Sequence, residues 1–283
     1  MRAFLLTMTL LLVACDPPEP APEDVDELMS FVFRHYELED DNQARSLADA
    51  GVNLLRWFDG RSWIDPESAD PDAEYDAGFG ATISALSDVA LDSLDPPSQT
   101  SDAGNAVGVM VARWQDCSLA DLDRIYLNPD QFTLFPENYL SYERSAFEGV
   151  ECFRDGSCDR ADWHTAIGQQ QLAYTYTMEM ASGFRRIDAV PASDDSAEAL
   201  PARLSRTWML DEPQLTPVDD TRFIQNYQLE FMIPHDGGVV HFYGQWTHLE
   251  APGINTEAGI FLNSYVDGLY EYLDQMQVLC QEA

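Results

Sequence analysis

The chain contains no lysine; all fifteen basic residues among its 283 are arginine. That absence removes several chemistries at once. There is no amine to form a Schiff base with pyridoxal phosphate, no phosphate-loop lysine and no kinase-type phosphate lysine. A Gly-x-Ser-x-Gly elbow and a His-Glu-x-x-His helix are also missing, and Gly78-Phe79-Gly80 lacks the third glycine of a dinucleotide loop. No Cys-x-x-Cys pair exists, which speaks against a structural zinc. Positive charge is scarce overall: fifty Asp and Glu residues leave a net charge of −35. A field of that sign repels phosphate backbones, so a nucleic-acid partner is not expected. It also repels anionic headgroups, so the folded part should stand off a membrane surface.

What is present begins at the amino terminus. Arg2 precedes an apolar run from Ala3 to Val13, which ends in Leu12-Val13-Ala14-Cys15 and passes at once into Asp16-Pro17-Pro18-Glu19-Pro20. The run is too short for a bilayer, which needs roughly 20 residues, and it sits where a signal peptide sits. The small Ala14 before a cysteine resembles the lipobox of bacterial lipoprotein precursors. That resemblance implies cleavage before Cys15 and diacylation of its thiol. The membrane is then a partner through this lipid anchor, and the location is the bacterial cell envelope, outside the cytoplasm. On this reading residues 1–14 are the signal peptide, 15–23 an acidic Pro-rich tether and 24–283 a single folded domain. Its 45% hydrophobic and 11% aromatic content is enough for a core despite the charge.

Four further cysteines, Cys117, Cys152, Cys158 and Cys280, make an even number in an exported chain and read as two disulfides. Of three possible pairings, Cys152–Cys158 is favoured because Arg154-Asp155-Gly156-Ser157 between them is turn-forming. Cys117–Cys280 then ties the end of the domain to its middle. By loop-closure entropy the long link stabilises by about 5 kcal/mol and the short one by about 2 kcal/mol, both as upper values.

The expected class is α+β. Val25, Leu28, Met29, Val32, Phe33 and Tyr36 form one helical stripe, and Leu47, Ala48, Leu54, Leu55 and Phe58 a second. Together they predict an N-terminal helical hairpin within a helical part over about 24–104, with a weak helix near Ile83 to Leu94. Ser118 with Asp121 reads as a capping box. Residues 128–148 read as aromatic and irregular. The sheet-plus-helix part covers about 105–283. Alternation from Leu172 to Phe184 predicts a half-buried strand, and Arg203 to Leu210 another. Phe223–Ile233 and Val239–Leu249 flank Asp236-Gly237, the strongest short hairpin signal. That turn pairs Ile233 with Val240, Phe231 with Phe242, Leu229 with Gly244 and Tyr227 with Trp246, all on one face. A long helix from about Thr256 to Leu279 closes an antiparallel meander. This element order, over roughly 105–280, is similar to helix-grip (START-like) lipid-binding folds, which implies an apolar-ligand carrier. No motif residue of that group matches.

Candidate chemistry is sparse. An apolar pocket between sheet and terminal helix would use Tyr176, Met178, Tyr227, Phe231 and Trp246. The opposite face of the hairpin sets Glu230 against Tyr243 with His241 diagonal to it, a carboxylate–imidazole pair suited to general-base work. Alternate polar residues there equally suit a solvated outer face, which is the expectation. Acidic clusters at Asp155, Asp159 and Asp162, at Asp194 and Asp195, and at Asp219 and Asp220 lack EF-hand spacing, so neither metal nor cofactor is expected. The sequence therefore describes an envelope lipoprotein that is more a non-catalytic interaction or structural module than an enzyme. Its partner would be an envelope protein or an apolar ligand. The lipid carrier and a hydrolase built on Glu230 and His241 are the alternatives.

Overall fold

The computed structural model describes residues 17–37, 41–60, 80–98, 103–171, 174–191, 199–217, 219–253 and 259–282. The signal segment, Cys15, Asp194 and Asp195 lie outside them. Helices α1 (Val25–Arg34) and α2 (Asp41–Asp59) come first, then strand β1 (Gly80–Ile83), the short α3 (Asp88–Asp92) and β2 (Val107–Gln115). Helices α4 (Leu119–Tyr126) and α5 (Gln131–Leu134) lead to β3 (Ser141–Glu148), and α6 (Val150–Asp155) to β4 (Arg160–Gln171). Strands β5 (Tyr174–Pro191), β6 (Ala199–Met209), β7 (Arg222–His235) and β8 (Gly238–Glu250) follow, and α7 (Gly259–Gln281) ends the chain. Among the described residues the strands make one antiparallel sheet in the order β1-β2-β8-β7-β6-β5-β4-β3. The α+β class, the helical hairpin, the meander and the long last helix are all present. Strand β3 arises where the sequence showed no clear alternation, β4 adds a strand that was not expected, and β1 replaces the start of the weak helix expected from Ile83.

The β7–β8 hairpin has the register the turn demands. Asp236 and Gly237 both have positive φ, 48° and 81°, as a type I′ turn requires. Ile233 pairs with Val240, Phe231 with Phe242, Leu229 with Gly244 and Tyr227 with Trp246. This fixes two faces for the whole sheet. One cross-strand row reads Ala181, Trp208, Tyr227, Trp246 and Gly108; the adjacent row reads Trp163, Ser182, Thr207, Gln228, Gln245 and Val109.

The first row belongs to the main core. There Tyr227, Phe231, Phe242 and Trp246 pack beneath the stripes of α1 and α2, with Phe33 edge-on to Tyr227 and Trp246. The same interface buries charge. Arg206 has no exposed side-chain surface; it pairs with Glu37, donates to Ser93 Oγ at 2.9 Å and lies over the Tyr36 ring at 4.3 Å. Arg160 shares Glu37 and pairs with Asp162 at 2.8 Å. The other acidic candidates are also engaged locally: Asp155 accepts from Ser157 N, and Asp219 from Thr221 N and the Tyr174 hydroxyl.

The second row lies beneath α7, which corrects the expectation that this face is solvated. Both faces of the sheet are covered, because the helical hairpin takes one and α7 the other. The last turns of α7 are tied down densely. Gln115 Nε2 donates to Leu273 O at 2.9 Å, Asp116 N to Gln277 Oε1 at 2.9 Å and Arg124 Nη2 to Leu279 O at 3.1 Å. Arg113 pairs with Asp274, and Cys280 is bonded to Cys117. Cys152 and Cys158 form the second disulfide, their Cα atoms 5.3 Å apart, so both expected pairings are present.

Phe231 is fully buried against the helical hairpin. Phe231→Ala is expected to lower stability by about 3–5 kcal/mol, read as a shift in the denaturant midpoint. It should leave binding beneath α7 unchanged, because its side chain points to the other face.

Candidate ligand-binding site

A cavity of about 380 Å³ lies between the polar row and α7. Its floor comes from β4 to β8 through Thr165, Met178, Ser205, Thr207, Gln228 and Glu230. Helix α7 roofs it with Tyr265, Leu269 and Tyr272, and one end is walled by Tyr126, Tyr139 and Arg144. Two of the expected pocket residues, Tyr176 and Met178, line it. Tyr227, Phe231 and Trp246 do not; they sit on the far face of the sheet in the core under α1 and α2. The reason is parity across strands. Met180 pairs with Met209 and Trp208 with Tyr227, so the aromatic side of β5 and the aromatic side of β7 face opposite ways.

The centre of the site is a buried relay. Helix α4 starts at the expected capping box, where Ser118 and Asp121 satisfy each other's backbone N–H groups, and it ends at Tyr126. The Tyr126 hydroxyl donates to Glu230 Oε2, and His241 Nε2 lies 2.9 Å from the same oxygen. His241 has no exposed surface, and its Nδ1 lies 3.2 Å from Gln115 Oε1. Because Gln115 Nε2 donates to Leu273 O, its oxygen is the atom turned to the imidazole, which assigns the Nδ1 proton to His241. The expected Glu230–His241 pair therefore exists, with Tyr243 opposite Glu230. Only Glu230 and Tyr243 reach the cavity wall. His241 lies beneath them with both nitrogens engaged, out of reach of a bound molecule.

Sequence reasoning missed Tyr126, Gln115, Arg144, Trp163 and Tyr272. Arg144 comes from β3, which showed no clear alternation. Its Nη1 donates to Tyr126 O at 2.6 Å and to Asn128 O at 3.1 Å, satisfying carbonyls at the end of α4, and its guanidinium lies 4.1 Å over the Trp163 ring. The capping box was the one signal that could have pointed to Tyr126, by setting where α4 begins and hence which residue ends its second turn.

Burial pushes the Tyr126, Tyr243 and Tyr272 phenols well above their ordinary range, and the nearby Glu230 carboxylate pushes them further. Tyr265, nearer the rim, is pushed up to about 12 by burial. These hydroxyls stay protonated and act as neutral donors. Tyr243 uses that capacity on Gln228 Oε1, at 3.0 Å.

The three phenols hold their protons more tightly in the folded chain than in the unfolded one. Their contribution to stability is thus complete below about pH 10 and is lost as pH rises beyond it, by about 1.4 kcal/mol per pH unit for each. The expected outcome is cooperative alkaline unfolding in which tyrosinate absorbance from these residues appears together with loss of near-ultraviolet circular dichroism. Ionisation of all tyrosines while that signal persists would contradict the burial described here.

No protein-family model matches the chain, and no curated protein matches it in sequence. Among solved structures it is similar to a START superfamily protein from Mycobacterium smegmatis, with 9% identity and a TM-score of 0.40, covering 62% of this chain and 97% of that one. It is also similar to a STAR-related lipid transfer protein fragment from Xanthomonas axonopodis, with 11% identity and a TM-score of 0.40, covering 62% and 86%. The lipid transfer and protein localization domain of human StarD13 has 7% identity and a TM-score of 0.39, covering 82% and 96%. These likenesses are to the same helix-grip group that the element order resembles; at such scores they are likenesses of outline and carry no argument about ligand or activity.

Proposed function

We propose that this chain is an exported binding protein, anchored through a lipidated Cys15, that holds one small amphipathic molecule beneath α7. The observation that carries the reading is the cavity of about 380 Å³ between sheet and terminal helix. Its size is at the small end of ligand pockets, which run from about 300 to 1,000 Å³. The wall mixes tyrosines and Met178 with Gln, Ser and Thr side chains, so it suits a molecule with an apolar or aromatic body and hydrogen-bonding groups. This is the place a carrier needs, and it supports a carrier over a purely structural module. The lipobox-like start supports the anchored, extracytoplasmic location, as do two disulfides that account for every other cysteine.

The test is native mass spectrometry of the full chain carrying Cys15→Ser, exported to a bacterial periplasm and purified without detergent. A discrete non-covalent adduct, lost on denaturation, is expected. Thr207→Trp, which fills the cavity from its floor, should abolish the adduct while the fold persists. A bare mass after exposure to an envelope extract would overturn the carrier reading. Independently, labelled palmitate should enter the unaltered chain and not the Cys15→Ser chain.

A further inference from the structure

We infer that the cavity ligand is an organic cation: an amine or quaternary ammonium group on an apolar or aromatic body, its charge paired with Glu230 Oε1. The inference rests on the cavity being a binding site and goes further by naming the head group.

Glu230 is only 6% exposed and lines the cavity. Its Oε2 receives Tyr126 and His241, whereas its Oε1 takes no hydrogen bond from any described residue. With Oε2 taken by those two partners, Oε1 is left as an acceptor in the cavity wall. Among the described residues of the wall, Arg144 is the one basic side chain. Most of it is already committed: its Nη1 serves two backbone carbonyls, its Nε donates to the Tyr142 hydroxyl at 2.9 Å and its plane covers Trp163, which leaves Nη2. Two more carboxylates, Glu137 and Glu271, stand in the lining.

An anionic head group would therefore meet three carboxylates against the one remaining Nη2 of Arg144, and an unpaired charge in such a site is costly. A neutral hydroxyl could bond Oε1 but would form no ion pair with it. A cation gains the charge-assisted bond to Oε1 and the negative faces of surrounding tyrosine rings. The net charge of −35 also draws cations towards the protein.

The experiment uses three probes with one body and different heads: 4-phenylbutylamine, 4-phenylbutan-1-ol and 4-phenylbutanoate. Each is titrated calorimetrically into the full chain carrying Cys15→Ser at neutral pH, in low and in high salt. The amine is expected to bind about tenfold tighter than the alcohol, with the carboxylate weakest. That order should survive high salt, because a sheltered pair is little screened whereas attraction to the overall charge is. Glu230→Gln should abolish the amine's advantage over the alcohol. If that variant does not fold, the head-group order on the unaltered cavity still decides. Equal affinity for amine and alcohol, tighter binding of the carboxylate, or an amine preference lost in high salt would overturn the inference while the bound alcohol upheld the cavity as a site. Binding of none of the three would count against both.

Discussion

The rest of the structure depends on the register of the β7–β8 hairpin. Asp236 and Gly237 can adopt the left-handed conformation that a two-residue turn needs, and the turn then decides which residues face each other. A slip by one residue would turn one strand over relative to the other. Were β7 the strand to turn, Tyr227 and Phe231 would move into the space under α7, and Glu230 and Gln228 would be driven against the helical hairpin. Neither side could accept the exchange, because the helical hairpin offers an aliphatic and aromatic surface with no partner for a carboxylate at that position. One turn therefore sets the core and the cavity together.

The two buried faces handle polarity differently. Under α1 and α2 the sheet is apolar except near the end of α1, where Arg206, Arg160 and Asp162 gather about Glu37 at the edge of the core. Such a cluster is weak evidence for stability, since desolvation offsets much of the attraction, but it specifies how the end of α1 meets β6. Under α7 the polar groups instead satisfy one another in a chain from Tyr126 through Glu230 and His241 to Gln115, and so to α7 at Leu273. The relay joins the end of α4 to the terminal helix. It seats α7 on the sheet through directed bonds while leaving space beside them, which a purely apolar interface would fill.

Much of this fold was legible in the sequence because local chemistry dictates it. The stripes of α1 and α2, the Ser118 capping box and the Asp-Gly turn each act over a few residues. The four hairpin pairs followed from the turn alone. The site was legible only in part. Glu230, His241 and Tyr243 came together because they sit on the same hairpin. Tyr227 and Phe231 were assigned to the wrong side of the sheet, because alternation shows which residues of one strand share a face and says nothing about which face of β5 matches which face of β7. That match passes through β6, whose pairing no turn motif announced. Arg144 was missed because β3 is broken by a bulge near Ser145 and Glu148 and lacks clean alternation; Trp163 was missed although Ala161, Trp163 and Thr165 alternate with Arg160, Asp162 and His164.

The closing element of the cavity is also the last one made. Helix α7 follows every strand of the sheet, and the cysteine that locks it, Cys280, pairs back across 163 residues. Until that segment has emerged, the polar floor from Thr207 to Gln245 has no roof and the Gln115 amide has no Leu273 carbonyl to bind. The helical-hairpin face can assemble earlier, since everything it needs precedes α7. Closure of the cavity is thus separated in order from formation of the main core.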